Sequence, residues 1–445
     1  MLGTSTNSKE TVRALQRKLY LKAKHQPTDR FHSLYDKIYR SDVLQQAYDR
    51  VRQNQGSPGL DGETFESIEA GKGQQAYLEE IQETLASKTY RPQPVKRVEI
   101  PKPNGDTRPL GIPCLKDRII QMAAKLVMEP IFEADFSPHS YGFRPTRSAH
   151  QAMDDIKVGL LTGHSQVIDA DLSQYFDTIP HDNLLRTVAE RIVDGTLLNL
   201  LKQWLKAPVI EVEAGKEKPV GGGKRSRKGT PQGGVISPLL ANIYLNLLDR
   251  IWDRHQLATK YGARLVRYAD DMVILCSRGT AGPYAVLQTV LAKLGLKLNE
   301  TKTQIRDARQ ERFEFLGYRV GLVKSRRSGK HFPLVEPSDK ALKAIKQKIK
   351  HYTRRKMNPV PIEDIVGMLN QTARGWSNYF HYGHGHRRMK QVRYYMEERL
   401  RHHLRNRHKV RNRGAAYQRF PRRYIYDHLG LYKVPLTPAW KGVHA

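Results

Sequence analysis

Cysteine is nearly missing from this chain, with only Cys114 and Cys276 among 445 residues. That scarcity excludes a disulfide framework and a cysteine-rich zinc site, and it fits a reducing cytosol. Long apolar runs are missing too. None approaches the ~20 residues that a membrane span requires, and the first residues lack the apolar core of a secretory signal. The expectation is a soluble, cytoplasmic protein without membrane contact. Acid is scarce as well: 44 Asp+Glu stand against 76 Lys+Arg, a formal net charge of +32. Such a field draws in nucleic acid through phosphate neutralisation and counterion release, although charge alone leaves open a merely basic or ribosome-associated protein. Internal repeats and long low-complexity linkers are also lacking. The length suits two to four structural units.

Residues 1–90 read as mainly helical and polar, interrupted by glycine turns such as Asn54–Gly62. Val95–Leu110 reads as a hairpin turning at Asn104-Gly105, and its prolines keep it at an edge. Strands are expected near 166–172, 208–213, 264–276 and 313–323. Helices are expected near 117–132, 147–161, 181–206, 238–254 and 282–297. After about residue 337 strand signals fade into basic helices near 338–355, 361–380 and 386–409. Arg401–Arg413 has six Lys/Arg and no acid. Beside a catalytic module such a run reads as a surface that holds nucleic acid.

The small stock of acid is placed where it is costly. Tyr268-Ala269-Asp270-Asp271 interrupts the apolar run Leu265–Leu275, so two carboxylates rise from a strand–turn–strand. Uncompensated buried charge is unfavourable, and a divalent cation is the natural compensator. One Asp-Asp pair alone is weak evidence. A second acidic strand end, Val167–Asp177, supplies the match: Asp169 and Asp171 lie two apart and share a face. Were that strand beside the 264–276 hairpin, Asp171 and Asp270 could share two Mg²⁺ about 3.5–4 Å apart, as in-line phosphoryl transfer requires. The plainer alternative has Arg267 or another basic neighbour neutralising the pair.

Other blocks are ambiguous singly. In Gly229–Pro238 the glycines permit close backbone approach. Ser237-Pro238 reads there as N-cap and first residue of a helix, and Gln232 is the polar side chain placed to touch a ligand. Lys102 and Arg108 bracket the Asn-Gly turn and suit a triphosphate, with Arg able to fork onto two oxygens; surface charge is the alternative. His139–Ser148 interleaves aromatics with Arg144 and Arg147, which suits stacking on bases and pairing with phosphates, or else a buried packing loop.

In this order the blocks resemble bacterial group II intron-encoded reverse transcriptases. The matching stretches are Asn54–Gly62, Arg108–Pro113 with Asp117–Gln121, Ser140–Arg147, Asp171–Asp177, Gly229–Leu240, Tyr268–Asp271, Gly295–Thr303 and Phe315–Tyr318. Arg374–Phe380 resembles the family's maturase, or thumb, signature. The resemblance covers roughly 35–410 and implies an α+β right-hand polymerase of fingers, palm and thumb. Its antiparallel palm sheet is followed by a helical thumb/maturase domain. The expected blocks are 1–90, an N-terminal helical extension and start of the fingers; 91–335, fingers and palm; 336–400, thumb/maturase; and 401–445, a basic DNA-binding-like region.

The resemblance further implies an RNA-directed DNA polymerase that binds intron RNA, DNA primer or target and dNTPs, and that assists splicing and retrohoming. Asp171, Asp270 and Asp271 match its catalytic and Mg²⁺-binding triad, with Mn²⁺ able to stand in. Asp169 is supporting only. Phe176 matches the aromatic that discriminates dNTP from rNTP, and Gln232, Lys102 and Arg108 match residues around the nucleotide. Arg144, Arg147, Gly233 and Tyr268 are expected at template and primer; Arg374, Trp376 and Tyr379 at intron RNA. The cysteine-bearing HNH nuclease module of many members has no counterpart before Ala445, so target nicking by this chain is not expected. Two rivals share the palm chemistry: a domesticated repair or defence enzyme, and a viral RNA-dependent RNA polymerase, which nucleotide choice separates.

Overall fold

The computed structural model describes residues 3–101, 107–213 and 215–436. Its strands are β1 (Val95–Pro101), β2 (Thr107–Ile112), β3 (Gln166–Ala170), β4 (Val209–Glu213), β5 (Lys216–Gly221), β6 (Ala263–Tyr268), β7 (Asp271–Cys276), β8 (Gln304–Asp307), β9 (Phe313–Phe315), β10 (Tyr318–Lys324) and β11 (His331–Pro337). They form three sheets, ordered β2-β1-β4-β5, β6-β7-β3-β8 and β11-β10-β9. Together with the helices they make an α+β right-hand polymerase architecture.

The β1–β2 hairpin forms as its sequence demands, in antiparallel register from Lys96↔Ile112 to Pro101↔Thr107. Its Asn-Gly tip and Lys102 lie outside the described residues. Three strands were not expected. β5 is a polar edge, β8 has four residues, and β11 carries two prolines. An edge strand tolerates proline because one side of its ladder is unpaired; β11 pairs with β10 alone.

The single helix expected over 181–206 is two, His181–Ala189 and Gly195–Leu205. Asp194 sets the break. Its Oδ1 accepts from the Thr196 and Leu197 backbone N–H groups and caps the second helix, while Oδ2 accepts from those of Leu34 and Tyr35. A second boundary also shifts. The helix Ser237–Arg254 begins one residue early, with Ile236 at the cap position. The Ser237 hydroxyl instead donates to the Pro231 carbonyl and accepts from Thr230, tying the glycine-rich loop to the helix.

The chain forms two compact units, both discontinuous in sequence. The first comprises Met1–Ala152, Ala170–Ile274 and Ala281–Thr303; the second comprises Met153–Asp169, Leu275–Thr280 and Gln304–Ala445. The first has its core on Leu115–Glu133, where Ile119, Ile120, Ala123, Ala124, Val127, Met128 and Ile131 are fully buried. Each large side chain among them contributes about 1.5–3 kcal/mol. In the second unit, Ser338 caps the helix Asp339–Tyr352 through the Ala341 N–H. The helix His386–Arg407 runs unbroken across residue 400, where the expected blocks place a boundary. Among the described residues no helix is long and apolar enough to cross a membrane.

Candidate active site

The acidic turn joins β6 to β7 through Ala269 and Asp270, and Ala269 takes a left-handed φ of 58°. That conformation costs an L-residue roughly 1–2 kcal/mol, so neighbouring contacts must hold it. They come from β6 itself. The guanidinium of Arg267, fully buried, donates to the Ala269 carbonyl at 2.9 Å and to Asn242 Oδ1 at 3.0 Å. Its other edge pairs with both carboxylate oxygens of buried Asp249. The direct ion-pair partner of Arg267, the basic neighbour of the acidic pair, is thus Asp249.

A second support comes from the Ser140–Arg144 loop. Tyr141 N–H donates to the Arg267 carbonyl and Arg267 N–H to that of His139, while Asn242 holds the Gly142 carbonyl at 2.7 Å. A Cβ on Gly142 would stand 2.3 Å from the Ala269 nitrogen. Only glycine lets this loop lie against the turn.

Asp171 lies just past the end of β3, and Asp169 sits within that strand opposite Gln304. The Asp171 carbonyl accepts from Asn299 N–H at 2.8 Å, which fixes its backbone. Its carboxylate meets Lys302 Nζ at 3.2 Å. Burial pushes the Asp270 carboxyl above the usual carboxylate range; facing Asp171 adds to the rise, while Arg108 and Arg267 oppose it. β7 and β3 are neighbours in one sheet, which sets the strand ends that carry Asp270 and Asp171 close enough for one charge to act on the other. Asp271 is exposed at the start of β7.

Among the described residues no group of three or more His, Cys, Asp or Glu is gathered to hold a metal unaided. Two carboxylates at neighbouring strand ends nonetheless suit Mg²⁺. That ion takes one or two protein carboxylates, keeps waters and borrows substrate phosphate oxygens. The ammonium of Lys302 already pairs with one of them, Asp171.

Arg108 projects from β2, and its Nε donates to Gln232 Oε1 at 2.9 Å; Gln232 Nε2 donates to Asp177 Oδ2 at 3.1 Å. Gly233 has a φ of 112°, and a Cβ there would meet the Gly111 carbonyl at 2.3 Å. Phe176 is buried edge-on against Phe143 and Tyr175, with ring centroids 6.5 and 5.6 Å apart. Tyr268 is half-buried at the end of β6.

Several arginines expected at nucleic acid have internal work. Arg144, with its side chain 3% exposed, is bound to Glu133 and to the carbonyls of Ser137 and Ser140. Arg147 lies over the Tyr141 ring at 5.7 Å. In the second unit, Trp376 packs against Phe380, and the Tyr379 hydroxyl donates to the Leu316 carbonyl. Arg374 is exposed, 4.5 Å above the Tyr432 ring. Arg401, the first of the basic run, is buried against Glu397 and Glu398. Arg407 donates to the carbonyls of Asn358 and Val360. Desolvated arginine saturated by such acceptors is scaffold. Sequence reasoning missed Asp249, Asn242, Lys302 and Asp177; of these only Lys302 and Asp177 fell inside a noted motif.

Two family models match the chain: "Reverse transcriptase (RNA-dependent DNA polymerase)" over residues 100–320 and "Group II intron, maturase-specific domain" over 342–423. Protein YkfC of Escherichia coli (strain K12) is 35% identical over 367 residues, covering 74% of this chain and 93% of YkfC. Group II intron-encoded protein LtrA of Lactococcus lactis subsp. cremoris is 36% identical over 223 residues, 49% of this chain and 35% of LtrA. An uncharacterized 91 kDa protein in the cob intron of Schizosaccharomyces pombe is 26% identical, over 81% of this chain and 52% of its own length. The chain spans nearly all of YkfC and about half or less of the other two. It belongs to the group II intron reverse transcriptase/maturase family, and its enzymatic class is RNA-directed DNA polymerase.

Proposed function

We propose that the chain extends a DNA primer on an RNA template, with Asp171 and Asp270 as the acids of the reaction centre and Asp271 assisting. The observation that carries this is the adjacency of β7 and β3 in one sheet, which brings the strand ends bearing Asp270 and Asp171 together in a protein of net charge +32, with Asp171 already met by Lys302. Mg²⁺ held there supplies activation of the primer hydroxyl and stabilisation of the leaving pyrophosphate oxygen. The chain's own part is positioning, which dominates such transfers. Asp171 and Asp270 fix where positive charge collects, Arg108 and Gln232 meet the triphosphate, and Phe176, whose carbonyl accepts from Thr230 N–H of the glycine-rich loop, discriminates against a ribose 2′-hydroxyl. Primer extension with an RNA template, Mg²⁺ and either dNTPs or rNTPs tests this. Preferential dNTP incorporation is expected, and Phe176→Ala should admit more rNTP. Preference for rNTP by the wild-type protein points instead to an RNA polymerase.

The match over 342–423 favours a second, compatible role as an intron RNA-binding maturase. Intron binding should then weaken steeply with salt and persist in Asp270→Ala. Equal affinity for any RNA of similar length counts against this role.

A further inference from the structure

Gln232 stands between a group that only donates and a group that, when ionised, only accepts. Arg108 offers N–H to its Oε1 at 2.9 Å, and Asp177 accepts from its Nε2 at 3.1 Å. A side-chain amide has one donating and one accepting end. Between these partners it satisfies both bonds in one orientation alone. The backbone around it is already fixed. Gly111 N–H donates to the Gln232 carbonyl, Thr230 N–H to that of Phe176 and Gly229 N–H to that of Ile179. What remains free in Gln232 is its side chain, and Asp177 and Arg108 decide that.

Asp177 makes no sense as a direct ligand of the substrate. It lines an open cleft of about 180 Å³ with Arg97, Leu110, Gly229 and Gln232, one amide away from Arg108, to which a nucleoside triphosphate would bring several negative charges. A carboxylate beside them is repulsive. Its value lies in what it does to the amide and, through the amide, to Arg108.

We propose that Asp177 is a positioning residue for nucleotide binding: it orients the Gln232 amide, whose oxygen then holds Arg108 in readiness for the incoming triphosphate. This rests on the polymerase reading above. The effect reaches nucleotide capture, and the distance between the primer end and the acids is untouched. Asn at 177 can still accept through its amide oxygen, and Ala cannot.

Steady-state dNTP incorporation on a fixed RNA-template/DNA-primer duplex tests it, with duplex affinity measured alongside as a control for folding. Asp177→Ala should raise KM for dNTP about fivefold to tenfold, the scale of one charged hydrogen bond, with kcat within about twofold. Asp177→Asn should restore KM to within about twofold of wild type. In a Gln232→Leu background, Asp177→Ala should add less than about a further twofold, because the group it orients is gone. Unchanged KM in Asp177→Ala overturns the proposal. So does a fall in kcat shared by Ala and Asn, or effects that multiply in the double variant. Absence of dNTP incorporation by the wild-type protein overturns the polymerase reading itself.

Discussion

Removing Asp249 separates the stability of the palm from its chemistry. Asp249 and Arg267 have side chains 4% and 0% exposed and pair at 2.5 Å. Asp249→Ala leaves the guanidinium buried with two of its five hydrogen bonds, those to Asn242 and Ala269. Breaking such a pair from one side costs about 3–5 kcal/mol, whereas replacing both members with apolar groups of similar volume is often neutral or better. Urea unfolding should therefore show Asp249→Ala destabilised by about 3–5 kcal/mol, and Arg267→Met/Asp249→Leu recovering most of that loss. Primer extension should part company with stability. The double variant has no donor for the Ala269 carbonyl, so the left-handed turn and Asp270 are no longer held, and incorporation should stay at least about tenfold down, the equivalent of 1.4 kcal/mol. An Asp249→Ala protein as stable as wild type refutes the buried-pair account. Wild-type incorporation by the double variant refutes the claim that Arg267 supports the turn.

Further outcomes follow from neighbouring geometry. Gly142→Ala should reduce incorporation sharply with little change in RNA affinity, since its Cβ would collide with the Ala269 backbone; filter binding and primer extension on one preparation check both. Lys302→Met should leave Asp171 without its ammonium partner and lower the Mg²⁺ concentration giving half-maximal incorporation by about twofold to threefold, because a cation competing for the carboxylate is gone; a higher Mg²⁺ requirement contradicts this. Asp117, pushed up to about 6 by burial while accepting from Tyr90 and the Gln93 N–H, gives a pH test. Its folded-state value exceeds the unfolded one, so the folded state binds the extra proton. The contribution is full at low pH and is lost as pH rises through about 6. Relative to Asp117→Asn, wild type should lose about 1 kcal/mol between pH 5 and 7, measured by urea unfolding at each pH.

The sequence disclosed the acids more readily than the groups that hold them. Asp270 and Asp171 announce themselves because charge in an apolar run is conspicuous, and β6 and β7 follow from that same run of β-favouring residues. Asp249 and Asn242 do not, because on the helix Ser237–Arg254 they look like any polar residues. Only the tertiary contact with Arg267 gives them a task. The same blindness misplaces arginines. Arg144 and Arg401 read as nucleic-acid ligands by type, yet both are buried against carboxylates brought in by local packing. The strands β5, β8 and β11 escaped notice because short, polar or proline-bearing edges take their conformation from the neighbour they pair with. Asp194, which splits one expected helix into two, is an ordinary cap that the long apolar period concealed.

The central claim is that Asp171 and Asp270 act together at the reaction centre while affinity for nucleic acid resides elsewhere. Single-turnover dNTP incorporation by Asp171→Asn and Asp270→Asn, with RNA affinity measured on the same samples, tests it most directly. Incorporation should be abolished in both, and RNA affinity should remain within about twofold of wild type, since each change removes one of 44 acids from a chain of net charge +32. Either variant incorporating dNTP at the wild-type rate contradicts the account.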